Sequence, residues 1–140
     1  MELIPAVSYD ALELLPGQET FVATPEAIRK ALTREDTFGF DAVENGVRFG
    51  FAMVRQFGPE EYFLWEYILD ARHQGQGKGY ACLSALIALL RREYGLKTLW
   101  TTYIWGNDAA RRLYERVGFT QTDVVDEDGI HEVNMVLRFT

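Results

Sequence analysis

The sequence predicts a mixed α/β domain built around one central sheet. Between residues 38 and 70, apolar and aromatic residues alternate as they do in strands, and from residue 83 their spacing changes to that of a helix. Two helical stretches then alternate with further strand-like segments, an order typical of one mixed sheet with helices packed on it. The length of 140 residues is that of one domain, so we expect residues 1–140 to form a single domain.

The N-terminal segment gives the weakest signals. We expect a short strand over residues 3–7 and a helical turn over residues 9–15, which stops at Pro16-Gly17. A helix is predicted to begin at Thr24-Pro25, because threonine is a good N-cap and proline is favoured in the first helical turn.

An antiparallel meander of three strands is predicted next. Residues 38–44 and 47–56 flank Asn45-Gly46, a dipeptide that readily takes the two positive φ angles of a tight hairpin. A turn at residues 58–60 leads into a third strand over residues 62–70, which is rich in aromatic and branched side chains.

Two helices and three strands complete the predicted domain. The first helix has one apolar face and ends at Gly95; the face comprises Leu83, Leu86, Ile87, Leu90 and Tyr94. The remaining elements are a strand over 97–103, a helix capped by Asn107 and stopped by Gly118, and strands over 120–125 and 130–139 joined by a turn at 126–129.

The charge balance limits the classes of partner. Fourteen basic and 21 acidic residues give a formal net charge of −7, which argues against broad contact with nucleic acid or an anionic membrane and suits a cationic small molecule. One cysteine, two histidines and no HExxH sequence give no expectation of a disulfide or a metal site. No apolar stretch has the length of a membrane span, and the N-terminus does not resemble a secretory signal, so the expected location is the cytoplasm.

The segment Gln74-Gly75-Gln76-Gly77-Lys78-Gly79 lies between a predicted strand and a predicted helix. The amides from Gly75 to Tyr80 could bind a pyrophosphate, with Lys78 as an additional charge. A P-loop would need Ser or Thr after the lysine, and a dinucleotide fingerprint would need a small residue at Tyr80, so both of these motifs fail. The alternative interpretation is an ordinary turn before a helix.

A second motif decides between these interpretations. The first segment has the form [QR]-x-x-G-x-[GA], and residues 107–119 follow with Asn, then Ala three residues on, then Leu-Tyr-Glu and Gly-Phe. Together they resemble the two signatures of the GNAT superfamily of acetyl-CoA-dependent N-acetyltransferases, over the chain from about Phe38 onward. Gln18-x-x-Phe21-Val22-Ala23, Tyr67-Ile68-Leu69-Asp70 and Gln76-Gly77-Lys78-Gly79-Tyr80 are most similar to bacterial diamine and spermine/spermidine acetyltransferases.

The resemblance implies a GNAT-like fold, with a mixed, mostly antiparallel sheet flanked by helices, and transfer of an acetyl group from acetyl-CoA to a primary amine. The preferred acceptor is a polyamine or another small cationic amine; no metal is implied, and a homodimer is a reasonable expectation. The alternatives are a GNAT enzyme that acts on an amino acid, an antibiotic or a protein N-terminus, and a non-catalytic module that binds acyl-CoA.

The resemblance also implies the residues that bind acetyl-CoA. The glycine segment would bind the pyrophosphate, the end of the third meander strand would pair with the pantetheine arm, and a backbone N–H near Leu69 would stabilise the oxyanion. The expected set is Tyr67, Ile68, Leu69, Gln74, Gly75, Gln76, Gly77, Lys78, Gly79, Tyr80, Asn107, Ala110 and Tyr114.

Tyr114 is the candidate general acid, because it lies about two helical turns after Asn107 and leans to the same side. Without the resemblance it would be interpreted as a core tyrosine, and Asn107 as a helix cap alone. Glu66 is the candidate base, with a surface carboxylate as an equal alternative. Since side chains alternate along a strand, we expect either Glu66 with Ile68 or Tyr67 with Leu69 to face the cleft, but not both pairs.

Other chemically reactive residues receive structural interpretations. Asp70 is a weaker candidate base and is expected to cap the loop that follows it. Cys82 is expected to be a small buried apolar residue. His73 is expected to be a solvated loop residue near the phosphates. The acidic residues of the last turn are expected to be solvated; they are Asp123, Asp126, Glu127 and Asp128.

Overall fold

The computed structural model describes residues 1–140 and contains three α-helices and a seven-stranded sheet. The elements follow in the order β1 Glu2–Ala6, α1 Pro25–Ala31, β2 Thr37–Glu44, β3 Val47–Gly58, β4 Glu61–Leu69, α2 Lys78–Glu93, β5 Thr98–Ile104, α3 Asp108–Val117, β6 Thr120–Glu127 and β7 Ile130–Arg138. The strand order is β1-β2-β3-β4-β5-β7-β6, and only β4 and β5 pair in parallel. The predicted mixed, mostly antiparallel sheet is confirmed.

Local signals set the element ends where they were expected. Asn45 and Gly46 take φ angles of 53° and 78° in the β2–β3 turn. The Oγ1 atom of Thr24 accepts the N–H of Ala27 at 3.2 Å and caps α1. Gly95, with φ of 69°, follows α2. None of the helices combines the length and apolar character that a membrane-spanning helix requires.

The two faces of the sheet are covered differently. Helices α2 and α3 pack on one face and form the larger core with β2–β5 and β7. On the other face, the N-terminal segment and α1 pack on β3 and β4 through the smaller core of Tyr9, Ile28, Ala31, Phe51, Met53 and Ile68. The side chains of β5 and β7 that point to this face, including Trp100 and Asn134, have no helix above them.

The helical turn predicted for residues 9–15 is wrong. This stretch is irregular, and a short 3₁₀ helix at Gln18–Thr20 follows instead. Tyr9 is only 2% exposed, its ring lies 4.7 Å from that of Phe51, and its hydroxyl accepts the N–H of Leu12. These tertiary contacts fix the backbone where local propensity favoured a helix.

The last turn is also tighter than predicted. Asp128 and Gly129 form a two-residue turn with φ angles of 51° and 77°, so β6 continues to Glu127 and β7 begins at Ile130. The sequence Asp-Gly is well suited to this conformation because both residues tolerate a positive φ.

Strands β4 and β5 separate partway along their length. They pair only from Glu61–Thr98 to Leu64–Thr101, and beyond that point β4 pairs with β3 alone and β5 with β7 alone. At the point of separation, Met53 pairs with Glu66 and Val54 with Leu64, which leaves Trp65 as an extra, bulged residue. A bulge bends a strand, and here it accompanies an opening in the middle of the sheet.

Candidate active site

The opening between β4 and β5, which we call the slot, leads into a cavity of about 190 Å³ on the α3 side. This α3 cavity is lined by β4, β5, α3 and part of the N-terminal segment, with the residues Gln18, Phe21, Val22, Trp65, Glu66, Tyr67, Leu69, Gln74, Thr102, Tyr103, Ile104, Asn107, Ala109, Ala110, Leu113 and Tyr114. It contains both candidate catalytic residues.

A second cavity lies on the opposite face of the sheet. This N-terminal cavity has a volume of about 380 Å³ and shares six lining residues with the α3 cavity, namely Phe21, Val22, Trp65, Glu66, Thr102 and Ile104. Since the shared residues flank the separation of β4 and β5, the slot runs through the sheet and connects its two faces.

The expectation that only one pair of β4 side chains faces the cleft fails for Glu66. Glu66 points to the face covered by the N-terminal segment, and Tyr67 and Leu69 point to the face covered by α2, yet all three line the α3 cavity. Alternation excludes this arrangement for a cleft on one face, but not for one that passes through the sheet. Ile68 is the exception, because its side chain is 0% exposed and packs in the smaller core.

The glycine segment presents a row of free backbone donors. Gly75 and Gly77 have φ angles of 77° and 74°, and Gly77 is the N-cap of α2 without any side-chain cap. The N–H groups of residues 75–80 have no acceptor within the chain, and the first helical bond is from Ala81 to the Gly77 carbonyl. A helix N-terminus with so many orphaned N–H groups fits an anionic ligand such as a pyrophosphate.

Gly79 allows α2 to approach β4 closely. A Cβ atom at this position would lie 3.2 Å from a methyl group of Leu69. The Tyr67 hydroxyl donates a 2.6 Å hydrogen bond to the Gly79 carbonyl and fixes the first turn of the helix against the strand. Burial raises the pKa of this phenol well above its usual value, so Tyr67 remains a protonated donor.

Two side chains of the segment point back into the protein. The Gln74 amide Nε2 donates to the Leu69 carbonyl and to Gln18 Oε1, each at 3.0 Å, and so ties the segment to β4 and to the N-terminal segment. The ammonium group of Lys78 lies 5.1 Å from the centre of the Phe49 ring. Gln74 and Lys78 therefore support the segment by contacts within the chain.

A cation that the sequence analysis did not include lies near the same helix end. The Arg116 guanidinium is 4.1 Å from the centre of the Tyr80 ring, in the first turn of α2, and Tyr80 is 37% exposed. Arg116 belongs to α3, and the sequence gives no signal that its side chain reaches the start of α2.

The end of β4 directs backbone donors into the slot. Asp70 donates its N–H to the Phe49 carbonyl at 2.8 Å, on the β3 side. Because backbone groups alternate along an antiparallel strand, the N–H groups of Tyr67 and Leu69 point away from β3 and towards the slot. Donors at this edge could pair with an amide-rich ligand or stabilise an oxyanion.

Tyr114 is both a core residue and a lining residue of the α3 cavity. It is 7% exposed, and its ring lies 5.5 Å from that of Phe119. Burial raises the pKa of the Tyr114 phenol to about 12; a hydrogen bond with Thr101 lowers it, and the negative charge of nearby Glu66 raises it. The phenol is therefore protonated throughout the neutral pH range.

Glu66 lies at the junction of the two cavities. Burial raises the pKa of its carboxyl to about 7, although the Ala23 N–H, which donates to Oε1 at 3.3 Å, lowers it. No basic side chain pairs with this carboxylate, and the alternative of a surface carboxylate is wrong. A carboxyl with a pKa near 7 is well suited to accept a proton at neutral pH.

Asp70 has the opposite environment. Its carboxylate accepts the N–H of Arg72 and pairs with the Arg72 guanidinium at 2.9 Å, and these contacts lower its pKa to about 2. It caps the 3₁₀ turn Ala71–His73, as predicted, and its pKa does not suit a base.

Asn107 accepts the Ala110 N–H on its Oδ1 atom at 3.2 Å, so the predicted cap is confirmed, and both residues line the α3 cavity.

Cys82 is 2% exposed, as predicted. His73 is half-buried against Phe49, and its buried Nδ1 atom makes no hydrogen bond and lies 3.9 Å from Asp70 Oδ1, so the prediction of a solvated residue is wrong.

This combination of elements matches a known family. A model of the acetyltransferase (GNAT) family matches residues 8–119. The chain belongs to the GNAT acetyltransferase family. The GNAT-like fold implied by the resemblance is confirmed by a GNAT acetyltransferase of Elizabethkingia anophelis, whose structure has acetyl-CoA bound. It superposes with a TM-score of 0.74 over 99% of this chain and 97% of that chain, at 18% identity.

Two curated GNAT relatives differ in their acceptors. The ribosomal protein bS18-alanine N-acetyltransferase of Escherichia coli strain K12 is 34% identical over 90 residues, which are 64% of this chain and 60% of that protein. The spermine/spermidine N(1)-acetyltransferase of Bacillus subtilis strain 168 is 35% identical over 88 residues, 57% of this chain and 57% of that protein. The chain thus spans less than two thirds of the length of these relatives.

Proposed function

We propose that this GNAT protein transfers the acetyl group of acetyl-CoA directly to a primary amine, and that the acceptor is a polyamine or another small cationic amine. One observation carries the proposal. Tyr114 and a carboxyl with a pKa of about 7, Glu66, line one cavity that also reaches Gln74, the residue directly before the free amides at the N-terminus of α2. When bound, acetyl-CoA supplies the activated acetyl thioester.

The α3 cavity would hold acetyl-CoA. The amides of residues 75–80 would bind the pyrophosphate. The N–H groups of Tyr67 and Leu69 would pair with the pantetheine arm, and Asn107 and Ala110 would form the opposite wall. Ile68 is left out of this set because its side chain lies in the smaller core, and Gln74 and Lys78 would act by holding the glycine segment in position.

Glu66 would accept the proton that the amine must lose. An alkylammonium with a pKa near 10.4 is neutral in only about one molecule in 2,500 at pH 7, so the acceptor needs a base. Transfer from such an ammonium to a carboxylate with a pKa of about 7 is unfavourable in water. Desolvation in the slot lowers the ammonium pKa and brings the two values closer.

Leu69 and Tyr114 would stabilise the negative charges that develop on the carbonyl oxygen and on the sulfur of the thioester. The Leu69 N–H is the proposed donor to the carbonyl oxygen. The Tyr114 hydroxyl is the proposed donor to the departing sulfur. Its pKa of about 12 makes it a weak acid, but a thiolate leaving in a desolvated site is also a stronger base than it is in water.

The charge of the N-terminal cavity supports a cationic acceptor. No lysine or arginine lines it, whereas two carboxylates do. The Bacillus subtilis relative acts on spermine and spermidine. The Escherichia coli relative supports a second candidate, a protein N-terminus, and the uncovered aromatic surface beside the slot, with Phe57, Phe63, Trp65 and Trp100, could accommodate peptide side chains.

A thiol-release assay with acetyl-CoA tests the proposal. The acceptors are spermidine, 1,4-diaminobutane, free amino acids, an aminoglycoside and a peptide with an N-terminal alanine. We expect the diamine and spermidine to be turned over with the highest kcat/KM. Highest turnover of the peptide would replace the proposed acceptor with the second candidate. Thermal stabilisation by CoA without turnover of any amine would leave only an acyl-CoA-binding module.

A further inference from the structure

We propose that Glu132 binds a second ammonium group of the acceptor, so that this site selects diamines and longer polyamines over monoamines. The inference rests on the proposed function and extends it by naming the residue that recognises the part of the acceptor remote from the reacting nitrogen. Glu132 lies on β7, opposite Ile104 of β5, and lines the N-terminal cavity together with Glu66.

Glu132 has no basic partner within the chain. Several acidic residues elsewhere are paired, among them Asp36 with Arg34 and Arg55, Asp41 with Arg48, and Asp126 with His131 in the adjoining β6–β7 hairpin. Glu132 is half-buried, makes no side-chain hydrogen bond and faces a cavity without Lys or Arg. A partly buried carboxylate without a partner is electrostatically unfavourable, and a bound ammonium would compensate it.

The strand register gives the approximate distance between the two carboxylates. Glu66 and Glu132 lie on either side of β5, so their lateral separation is at least two strand spacings or ~10 Å, and more where β4 has diverged from β5. Glu132 is offset by a further one or two residues, ~3–7 Å, along the strands. An extended four-carbon diamine spans ~6 Å between its nitrogens, and each ammonium–carboxylate contact adds ~2.8 Å. The total of ~12 Å lies at the lower end of this separation, and a longer polyamine spans more.

Apart from the hydroxyls of Thr20 and Thr102, the walls of the cavity that holds the two carboxylates are apolar. Phe63, Trp65 and Ile104 line the N-terminal cavity, and Trp65 and Ile104 are among the exposed large apolar side chains. Methylene groups of an acceptor would cover this surface, and an ammonium is also attracted to aromatic faces. A largely apolar passage that holds two separated carboxylates suits a flexible diammonium ligand.

The experiment compares two acceptors in two variants. The wild-type protein, Glu132→Gln and the control Glu127→Gln are assayed with 1,4-diaminobutane and with 1-aminobutane, which lacks the second nitrogen. Glu127 is exposed, lies in the same β6–β7 hairpin and does not line the cavity, so its substitution removes the same charge without touching the site.

We expect the wild-type protein and Glu127→Gln to prefer the diamine. Glu132→Gln is expected to lower the ratio of kcat/KM for the diamine to that for the monoamine about 10-fold, through a higher KM for the diamine. Amine turnover with an unchanged ratio in Glu132→Gln would overturn the inference and leave the proposed function intact. An equal fall of the ratio in both variants would also overturn it, since it would indicate a long-range effect of net charge.

Calorimetric titration of 1,4-diaminobutane into CoA-saturated protein separates the inference from the proposed function. Binding by the wild-type protein that is lost in Glu132→Gln, without turnover of any amine, would support the role of Glu132 and refute the catalytic proposal. If the wild-type protein neither binds nor turns over the diamine, both the role of Glu132 and the catalytic proposal are refuted.

Discussion

The two sides of the slot are built in different ways. The α3 side depends on short sequence signals: glycines with positive φ, a helix N-terminus and the Asn107 cap. The N-terminal side depends on contacts between residues far apart in the sequence, such as Ala23 with Glu66 and Gln18 with Gln74. Under the proposed function, the α3 side binds acetyl-CoA and the N-terminal side determines the acceptor.

The largest effect, a loss of kcat, is expected at Tyr114. Tyr114→Phe keeps the ring that packs on Phe119 and removes only the hydroxyl. We expect kcat to fall by about 10²-fold or more, as for loss of a general acid, while binding of CoA measured by thermal shift is retained.

A fall in kcat of less than about threefold would refute the role proposed for the phenol, because a purely structural tyrosine would give that result. Tyr103→Phe is a matched control, since Tyr103 lines the same cavity from β5 and has no proposed proton-transfer role. It should leave kcat within a factor of about three.

The next largest effect, a loss of kcat/KM for the amine, is expected at Glu66, at the junction of the α3 and N-terminal cavities. Glu66→Gln is expected to lower kcat/KM for the amine by about 10–10²-fold at pH 8. In the wild-type protein, kcat/KM should rise with pH through about 7, because Glu66 must be ionised to accept a proton. Glu66→Gln should not show this rise, and its kcat/KM should depend on pH only through deprotonation of the amine.

The stability of the same variant provides the control. Folding raises the pKa of Glu66 from 4.5 to about 7, so the neutral carboxyl is favoured in the folded state and stability falls as the pH rises from about 4.5 to about 7. Glu66→Gln should therefore be more stable than the wild-type protein at pH 8, by about 1–3 kcal/mol in urea unfolding. Lower stability together with lower activity would attribute the loss to misfolding.

Sequence reasoning located the glycine segment and the helix cap of the α3 side for the same physical reason. The positive φ angles of Gly75 and Gly77 and the Asn107 cap are properties of a few consecutive residues, and the sequence contains them directly. The slot could not be predicted, since it arises where β4 and β5 separate beside the bulge at Trp65. Side-chain alternation, applied to an unbroken sheet, consequently gave the wrong answer for Glu66.

The N-terminal segment shows the same limitation. Residues 9–15 have a local pattern that favours a helix, but burial of Tyr9 against Phe51 decides their conformation. The pKa of Glu66 also depends on packing, because burial by distant residues raises it. Glu132 carries no motif, and its proximity to the slot follows from its pairing with Ile104.

A smaller effect is expected from changes confined to the α3 side. Gly77→Ala places a methyl group at a φ of 74°, among the free amides, with no atom within 4 Å of the new Cβ. We expect the KM for acetyl-CoA to rise about 10-fold and stability to fall by about 1 kcal/mol, with the KM for the amine nearly unchanged. Steady-state kinetics with each substrate varied in turn provides the measurement.

Gly46→Ala is the matched control, because Gly46 has a φ of 78° and equally open surroundings but lies in the β2–β3 turn. It should cost similar stability without changing either KM. An effect of Gly77→Ala on the amine KM as large as that on the acetyl-CoA KM would contradict the separation of the two sides.

The smallest effect, a higher KM for the amine, is expected at Gln74, which connects the two sides of the slot. Gln74→Leu removes the hydrogen bonds from Nε2 to Gln18 and to the Leu69 carbonyl. The wall formed by Phe21 and Val22 follows Gln18 closely in the sequence, so a loosened N-terminal segment should raise the KM for the amine about 3–10-fold. The KM for acetyl-CoA should change less, because the amides of residues 75–80 remain.

A double-mutant cycle tests whether this effect passes through the Gln18–Gln74 contact. If it does, Gln18→Leu should raise the amine KM by a similar factor, and the double variant should be no worse than the more affected single variant. Independent, multiplying effects would show that Gln74 acts on the glycine segment alone. The two sides of the slot would then be joined through Glu66 and its hydrogen bond from Ala23, and not through the loop.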